Sequence, residues 1–389
     1  MIEVRDTRLC CGCTACYSSC PYGAIEMRQD ALGFKYPEVD SAKCVDCGLC
    51  DSVCAFQTSA AENVHKCSDD FDLKVFSAIH NQDDVRKHSQ SGGVYTAFSD
   101  VVLSRGGVVY GAGFRPDFTV SHQRAQTSSE RDSFRGSKYV QSDMEDTFRA
   151  VKDDLAAGRY VMFTGTPCQV AGLSSYIPDD MKPNLFLVDI VCHGVPAPAI
   201  WKDYLAYICK GRKIIKADFR DKSFGWKIHR ESFEFEDGGR KSAETFRVLF
   251  HKNIMLRSSC SVCPYDVFHR SSDVTVGDFW GYDELCPDRD NSEGISMVIC
   301  HTDKGRMLLE ESSSDISISQ ESLDYDFVTR NNPNLIHKTL FSKERDAFER
   351  AYIQRGFVYV ARRWGDKGLR YKWWKIKRRV RSVIKKLSV

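Results

Sequence analysis

The sequence of 389 residues contains no apolar run near the roughly eighteen residues that a membrane-spanning helix requires. Its first ten residues, MIEVRDTRLC, are charged and lack the apolar core of a secretory signal. Because nothing directs the chain to an oxidising compartment, its seventeen cysteines argue against a disulfide scaffold and favour metal or redox chemistry. We therefore expect a cytoplasmic protein of two or three domains.

Acidic residues are almost missing from one part of the chain, residues 361–389, which carry twelve Lys or Arg and a single acid. Apolar residues recur there at steps of three and four, which predicts a basic amphipathic helix: Trp373, Ile376, Val380, Val383, Ile384 and Leu387. Such a helix is typical of peripheral contact with anionic lipid at the inner membrane face. Docking on the acidic body of the protein, or a solvated tail, would explain the pattern as well, and we expect no nucleic acid partner.

Two runs of cysteines dominate the N-terminal part of the chain. The first has the spacing C-x2-C-x2-C-x3-C-P, and the same cysteine spacing returns 34 residues later. In two-cluster ferredoxins three cysteines of each run bind one cubane and the fourth reaches the other cubane, whereas zinc sites usually present cysteines in pairs. The spacing therefore predicts two [4Fe–4S] clusters, one bound by Cys10, Cys13, Cys16 and Cys54, the other by Cys44, Cys47, Cys50 and Cys20. Cys11 is left over, and we interpret it as a bystander thiol.

The rest of the chain alternates short apolar segments with helical patterns, which is typical of an α/β domain. Predicted strands cover 74–79, 107–114, 160–165, 185–191, 273–279 and 295–300. Predicted helices cover 92–104, 143–157, 168–176, 197–209, 244–256 and 304–313, and Asp237-Gly238-Gly239 indicates a hairpin turn.

Four further cysteines stand in marked positions. Cys168 and Cys192 each follow a predicted strand, and Cys260 and Cys263 form the motif CSVCPY. Because the carboxyl ends of strands in an open α/β sheet share one edge, these thiols could meet there. They predict a third [4Fe–4S] cluster, with a structural zinc ion as the alternative.

Three glycine-containing stretches could approach a cofactor. SQSGGVYTAF (89–98) places small residues before a helix, where free N–H groups attract a phosphate, although an ordinary N-cap has the same composition. RGSKYVQS (135–142) adds Lys138, and GTP (165–167) forms a strand-to-helix turn. By themselves these stretches do not decide between a cofactor site and solvated loops.

Taken together, the stretches QSGGVYTAF, RGSKYVQS, FTGTPCQVAGL, DIVCHGVP, CSVCPY and SDVTVGDFWG resemble the beta-subunit family of coenzyme F420 hydrogenases and dehydrogenases. The resemblance implies an FAD beside a [4Fe–4S] cluster. It implies phosphate contacts from Ser91, Gly92, Gly93 and Thr96, and it places Thr166 near the flavin. It also implies that Lys138 binds cofactor and is the catalytic candidate, that Cys168, Cys192, Cys260 and Cys263 bind the third cluster, and that His193 tunes this cluster or is merely structural. Bacterial members resemble enzymes of polysaccharide pathways, by analogy only.

The expected fold is an α+β bacterial ferredoxin-like module, then an α/β flavin- and iron–sulfur-binding domain, with a C-terminal basic helix. The expected domains are a ferredoxin-type domain at 1–60, a linker at 61–75, an oxidoreductase domain at 76–345 and a helical basic extension at 346–389.

The expected function is that of an oxidoreductase that relays single electrons between the clusters and FAD. Its partners would be a ferredoxin or another low-potential carrier and a small substrate, either the deazaflavin coenzyme or another small or lipid-linked molecule. The alternatives are an electron-transfer subunit without a substrate site of its own, and a scaffold protein held together by metal.

Overall fold

In a computed structural model of the chain, the described residues are 2–56, 74–268, 270–287, 292–321, 325–366, 368 and 371. The N-terminal module combines α1 (Ala15–Ser19), the antiparallel strands β1 (Ile25–Gln29) and β2 (Lys35–Val39), and α2 (Leu49–Ser52). Both helices begin directly after a residue in the left-handed region, Thr14 at φ 72° and Gly48 at φ 75°. Because these two caps are 34 residues apart, the structure repeats with the period of the cysteines.

An eight-stranded sheet with strand order β13-β3-β12-β11-β7-β6-β4-β5 forms the centre of the large domain. Its strands are β3 (Lys74–His80), β4 (Val108–Phe114), β5 (Val120–Ala125), β6 (Val161–Gly165), β7 (Leu185–Ile190), β11 (Val274–Asp278), β12 (Ser296–Cys300) and β13 (Ile316–Glu321). The strands β4, β6, β7 and β11 are parallel neighbours, and the other pairs are antiparallel. The carboxyl ends of β6 and β7 therefore lie side by side.

Six of these strands agree with the sequence-based predictions to within one or two residues. The two edge strands, β5 and β13, were not predicted. Their sequences, VSHQRA and ISISQE, lack the continuous apolar runs that strands buried on both faces require. An edge strand needs an apolar face on one side only, so its signal in the sequence is weaker.

The described helices of the large domain connect and cover these strands. They are α3 (Asp83–His88), α4 (Val94–Ser104), α5 (Ser128–Asp132), α6 (Thr147–Ala156), α7 (Pro167–Tyr176), α8 (Pro198–Cys209), α9 (Thr245–His251), α10 (Tyr282–Leu285), α11 (Asp303–Glu311), α12 (Tyr325–Asn331) and α13 (Arg345–Trp364). The helix predicted for 244–256 ends early, because Asn253 adopts φ 54° and Leu256 forms a bridge with Pro196.

A three-stranded antiparallel sheet stands apart from the central one. It contains β8 (Ile214–Asp218), β9 (Glu231–Phe235) and β10 (Arg240–Ala243), and its β9–β10 hairpin contains the predicted Asp237-Gly238-Gly239 turn. Aromatic side chains pack α8 and α9 against this sheet, for example Trp201 with its ring 4.2 Å from that of Phe219.

The N-terminal module packs directly on the large domain. The Lys35 ammonium lies 2.7 Å from the Asp143 carboxylate, and the Tyr17 hydroxyl donates to Asp146 at 3.0 Å. The Ala199 amide donates to the Leu32 carbonyl at 3.0 Å. These contacts come from α8 and from the loop before α6, so separate elements of the large domain hold the module.

Two expectations fall mainly outside the described residues. The predicted linker at 61–75 is described only at its last two residues, and the basic residues of 372–389 are not described. Contact of this tail with a membrane remains a prediction from the sequence. Of the described helices, none combines the length and the apolar character needed to cross a bilayer.

A partly buried ion pair between β5 and α6 gives a first testable prediction. Arg124 donates to Asp154 through two nitrogens at 2.7 and 2.8 Å, and the Tyr110 hydroxyl donates to the same carboxylate at 2.6 Å. Burial raises the pKa of Asp154, but these hydrogen bonds outweigh it and hold that pKa below its usual value. Asp154→Asn should lower the free energy of unfolding at neutral pH by about 1–3 kcal/mol, as measured by urea denaturation.

Because the pKa of Asp154 is depressed in the native state, the stabilisation is present above the ordinary carboxyl pKa and disappears as the pH falls through the native value. The difference between wild type and Asp154→Asn should therefore shrink in acid. Asp153→Asn, an exposed neighbour on the same helix, should have little effect at any pH. Equal losses from both variants would contradict this assignment.

Candidate functional site

The structure brings together the first predicted set of cysteines. Burial raises the pKa of the Cys16 thiol, and negative charge on Cys13, Cys10 and Cys54 raises it further, so these three sulfurs lie near that of Cys16. Cys54 comes from the second run, as the crossed spacing predicts. The helix α7 of the large domain closes this set on one side, where Gly172 faces Cys13.

The second predicted set lines a small cavity of its own. Cys20, Cys44, Cys47 and Cys50 surround this cavity together with the apolar side chains Tyr22, Val45 and Leu49. Backbone N–H groups point at two of the sulfurs, from Ile2 to Cys50 at 3.2 Å and from Ala24 to Cys20 at 3.3 Å. Thiols with N–H donors directed at the sulfur are the surroundings that iron–sulfur clusters have in proteins.

A third group of cysteines meets at the edge where β6 and β7 end. Cys168 lies in the first turn of α7, Cys192 follows β7, and Cys260 and Cys263 come from the loop after α9. All four line one cavity, although these parts of the chain are far apart in the sequence. The structure thus brings together the residues that the strand-end argument predicted.

Amide donors are directed at this third group as well. The Gly194 N–H lies 3.3 Å from the Cys192 sulfur, and the amides of Val195 and Tyr265 approach Cys260 and Cys263. Burial raises the pKa of Cys192 and Cys263, and it raises that of Cys260 to about 12. Binding to a cationic centre would overcome this penalty, because metals bind thiolates.

Zinc was the alternative for this third group. The four cysteines supply the thiolates that either a zinc ion or a cubane cluster would need. The sulfurs of three of them, Cys192, Cys260 and Cys263, have amide donors directed at them. This chemistry fits a cubane cluster.

Cys11 has a more prominent place than the cysteine spacing predicted. Its side chain is only 6 % exposed, and its thiol lies beside those of Cys13 and Cys168. The hydrogen bond from Cys11 is the main cause that lowers the pKa of Cys168 to about 7. Cys11 therefore lies between the first and the third cysteine sets. Only the packing of α7 against the N-terminal module reveals this position.

A cavity of about 660 Å³ extends from the third cysteine set along the edge of the sheet. Of the residues that the family resemblance implies at the cofactor, Ser91, Gly93, Lys138 and Thr166 line this cavity. Several residues line both this cavity and the cysteine cavity, among them Thr166, Cys192, His193, Gly194 and Val195. The two spaces therefore share a wall, and one of the candidate cluster ligands is part of it.

Two of the residues implied by the resemblance make packing contacts outside the large cavity. Gly92 lies against β3, where an added Cβ would be 2.2 Å from the Ala78 carbonyl oxygen. Thr96 is buried, and its hydroxyl oxygen accepts a hydrogen bond from Arg135 at 3.1 Å. Neither residue lines the large cavity as the structure describes it. Contact of these two residues with a phosphate stays a prediction.

The large cavity contains polar groups that lack partners within the described protein. These include the hydroxyl of Tyr95 and the amide nitrogen of Gln90, both near the first turn of α4. Buried polar atoms normally have a hydrogen-bond partner, so these two unpartnered atoms indicate that a polar ligand binds in the cavity. The free N–H groups at the start of this eleven-residue helix add an attraction for anions. The lining fits a phosphate-bearing cofactor.

Lys138 lines the same cavity. Its ammonium donates to the backbone carbonyls of Ser133 at 3.1 Å and of Arg135 at 2.9 Å. Burial lowers the pKa of Lys138 to about 7, against the opposing effect of the Asp218 charge. An amine with such a pKa changes its protonation state near neutral pH and so can deliver a proton to a ligand.

Sequence reasoning did not find the far end of this cavity. His229 and His251 lie there with their ring nitrogens 3.3 Å apart, beside Trp280 and the ion pair of Arg220 with Asp278. Asp278 and Trp280 belong to the stretch SDVTVGDFWG, but no motif marks His229, His251 or Arg220 in the sequence. His193 was predicted to tune a cluster or to be structural, and it binds Asn253 at 2.7 Å and Asn334 at 3.3 Å through its ring.

The comparisons with known proteins match two parts of the chain. The family described as the C terminus of the beta subunit of coenzyme F420 hydrogenase/dehydrogenase matches residues 158–325. Residues 158–325 belong to this family. A 4Fe-4S dicluster domain matches residues 9–58, so the family predicted from the motifs and its N-terminal ferredoxin-type domain are confirmed. The chain is an iron–sulfur electron-transfer protein related to these oxidoreductase subunits.

A solved structure of the F420-reducing [NiFe] hydrogenase complex from Methanosarcina barkeri is similar to this chain at 17 % identity. The alignment covers 71 % of this chain and 91 % of the other, with a TM-score of 0.47. No curated protein matches the chain at a significant level.

The contact between Gly172 and Cys13 gives a second testable prediction. A Cβ at Gly172 would lie 2.7 Å from the Cys13 sulfur, closer than van der Waals contact allows. Gly172→Ala should therefore displace Cys13 and lower the iron content per protein, while the helix itself gains in propensity. Iron and acid-labile sulfide after anaerobic purification measure the effect. Ser174→Ala on the same helix is the control, and full iron content in Gly172→Ala would contradict the assignment.

Proposed function

We propose that the protein is an iron–sulfur flavoprotein oxidoreductase that passes electrons between its clusters and a two-electron substrate. The observation that carries this proposal is the wall shared by the third cysteine set and the large cavity. The Thr166 hydroxyl lies 3.3 Å from the Cys168 sulfur, and Thr166 also lines the cavity. A ligand in this cavity would therefore lie within electron-tunnelling distance of a cluster held by these thiolates.

In this proposal each cysteine set binds one [4Fe–4S] cluster. The first uses Cys10, Cys13, Cys16 and Cys54, the second Cys44, Cys47, Cys50 and Cys20, and the third Cys168, Cys192, Cys260 and Cys263. Cys11 bridges the space between the first and the third set by its contacts with Cys13 and Cys168. The three sites then form a path from the N-terminal module to the cavity.

FAD is the cofactor that we propose for the cavity. Ser91, Gly93 and the amides that begin α4 would bind its phosphates, with Tyr95 and Gln90 as additional partners. When bound, FAD supplies the exchange between single electrons and electron pairs that the clusters alone lack. The chain's own contribution is to hold the ligand against Thr166 and Cys192 and to exclude water from the contact.

Lys138 and the histidines at the far end of the cavity would serve the substrate. Lys138 lines the cavity with an amine of lowered pKa, and His229 has a ring nitrogen without a partner in the described protein. The family that residues 158–325 match is named after coenzyme F420, a deazaflavin. For this chain we propose a small two-electron acceptor or donor, either a deazaflavin or another small or lipid-linked molecule.

An electron carrier such as ferredoxin would bind at the second cluster. Cys47 is exposed there, and the apolar side chains Tyr22, Val45 and Leu49 around this site are 55 %, 58 % and 46 % exposed. Apolar groups clustered on a surface mark sites of protein contact. Electrons would enter or leave the path at this surface, since the large domain packs against the other two sets.

Loss of the third site tests the proposal. Anaerobically purified protein should be brown and should contain iron, sulfide and FAD. Cys192→Ala should lose about a third of the iron, because one of three cubanes loses a ligand. Cys209→Ala, which changes a cysteine at the end of α8 that lines neither cavity, should keep all of it. Correctly folded wild-type protein without iron–sulfur or flavin absorbance would refute the proposal.

Flavin turnover separates an enzyme from an electron-transfer subunit. Reduced wild-type protein should be reoxidised by a substrate without any partner protein present. In Cys192→Ala, reduction of the flavin by a low-potential carrier should be slowed severely, while its reoxidation by substrate is preserved. If no substrate in a broad set reoxidises the flavin, the chain serves only to transfer electrons to a partner.

The pKa of Lys138 gives a further prediction. Below about pH 7 its ammonium can give a proton to a substrate that is being reduced, and above this pH the amine cannot. Substrate-dependent flavin reoxidation should therefore fall as the pH rises through about 7. Lys138→Arg, whose guanidinium keeps its proton at every accessible pH, should remove this inflection. A wild-type rate that is flat across neutral pH would exclude Lys138 as the proton donor.

A further inference from the structure

Arg257 is a deeply buried charge between the N-terminal module and the large domain. Its side chain is 0 % exposed, and it extends from the loop after α9 into the module. Its Nε donates to the Cys10 carbonyl at 2.8 Å, and its Nη2 donates to the Lys35 carbonyl at 2.8 Å. Its Nη1 donates to Gln141 at 2.9 Å, so all three nitrogens have neutral acceptors.

The surroundings of this guanidinium are shaped for it. It lies 4.3 Å from the ring centre of Tyr36 and 5.3 Å from that of Phe34. Gly12, at φ +71°, leaves room for it, since a Cβ there would be 2.8 Å from Nη1. Gln141 binds Arg257 through its oxygen and the Cys11 carbonyl through its nitrogen at 3.0 Å. The arginine therefore has a fixed position beside the first cysteine set.

The negative partners of Arg257 are mainly sulfurs. Its Nη2 lies 3.7 Å from the Cys10 sulfur. Burial lowers the pKa of Arg257, and the groups that outweigh this effect are Cys10, Tyr36, Cys11 and Cys260. No carboxylate is among these groups. A buried cation requires a negative partner, and a thiolate-bound cluster with net negative charge would supply it.

We propose that Arg257 is a positioning residue that raises the reduction potential of the cluster held by the first cysteine set. This inference rests on the proposed function. Reduction adds one electron, and hence one negative charge, to the cluster. A fixed positive charge in a water-free contact stabilises that added charge, and cluster potentials respond to nearby charge and to hydrogen bonds at the sulfurs.

The effect would give the electron path a direction. The second set lies at the surface, with Cys47 exposed, whereas Arg257 contacts Cys10 of the first set directly. An electron that enters at the surface would therefore be stabilised at the inner cluster, next to Cys11 and the third set. Arg257 lies on the cavity wall of that third set as well, so its charge also favours onward transfer.

Redox titration of the anaerobically purified protein, followed by electron paramagnetic resonance, tests this inference. Arg257→Gln should keep its iron content, and the equilibrium constant for reduction of one cluster should fall tenfold or more, which is about 59 mV for one electron. Arg257→Lys, which keeps the positive charge, should retain most of the wild-type potential. The shifted signal should be absent from Cys13→Ala, which assigns it to the first set.

Arg345→Gln is the matched control. Arg345 is also buried and holds the same loop, since it donates to the Leu256 carbonyl at 2.6 Å and to Ser258 at 3.1 Å rather than to a cysteine. Its replacement should leave every potential unchanged. An equal shift in Arg345→Gln, or an unshifted potential in Arg257→Gln with full iron content, would overturn the inference.

Gln141→Glu covers the case in which Arg257→Gln loses its cluster. This variant keeps the arginine and loses only the hydrogen bond to the Cys11 carbonyl, and it places a carboxylate beside Nη1, which offsets the positive charge. Its potential should shift in the same negative direction, and no shift would overturn the inference. A wild-type protein without iron–sulfur clusters would instead refute the proposed function, so the two failures are distinguishable.

Discussion

The parallel pairing of β6 with β7 is the constraint on which the candidate site depends. The two strands run in the same direction, so their carboxyl ends bring Cys168 and Cys192 to one edge. The loop after α9 reaches the same edge and adds Cys260 and Cys263. The large cavity opens along this edge too, as ligand sites in open α/β sheets generally do. Without this parallel pairing, the four thiols would not share a cavity.

The packing of the N-terminal module on the large domain makes the three cysteine sets continuous. The helix α7, whose first turn holds Cys168, also presents Gly172 to Cys13. Cys11 then fills the gap between the sets, and Arg257 spans the same interface from the loop after α9. Small residues on α7 and buried polar contacts allow this close approach. Electron transfer depends steeply on distance, so the interface matters as much as the ligands.

Much of this arrangement was readable from the sequence for simple reasons. Strands buried on both faces need continuous apolar runs, so β4, β6, β7 and β12 were predicted within one or two residues. The edge strands β5 and β13 were not predicted, because polar residues interrupt their short apolar segments. The helix predicted at 244–256 was too long, since apolar periodicity does not register the left-handed turn at Asn253.

The sequence alone determined the two cysteine runs and the family, and it predicted the crossed pairing of the cysteines, because a repeated local spacing and a set of short motifs are properties of the chain itself. Only the tertiary structure decided that Cys11 joins two sets, that Gly92 and Thr96 serve packing, and that His229, His251 and Arg257 lie at the cavities. His229, His251 and Arg257 lie outside the motifs, and the motifs do not show what Cys11, Gly92 and Thr96 contact. Their roles come from the packing of separate elements against one another, which no local pattern encodes.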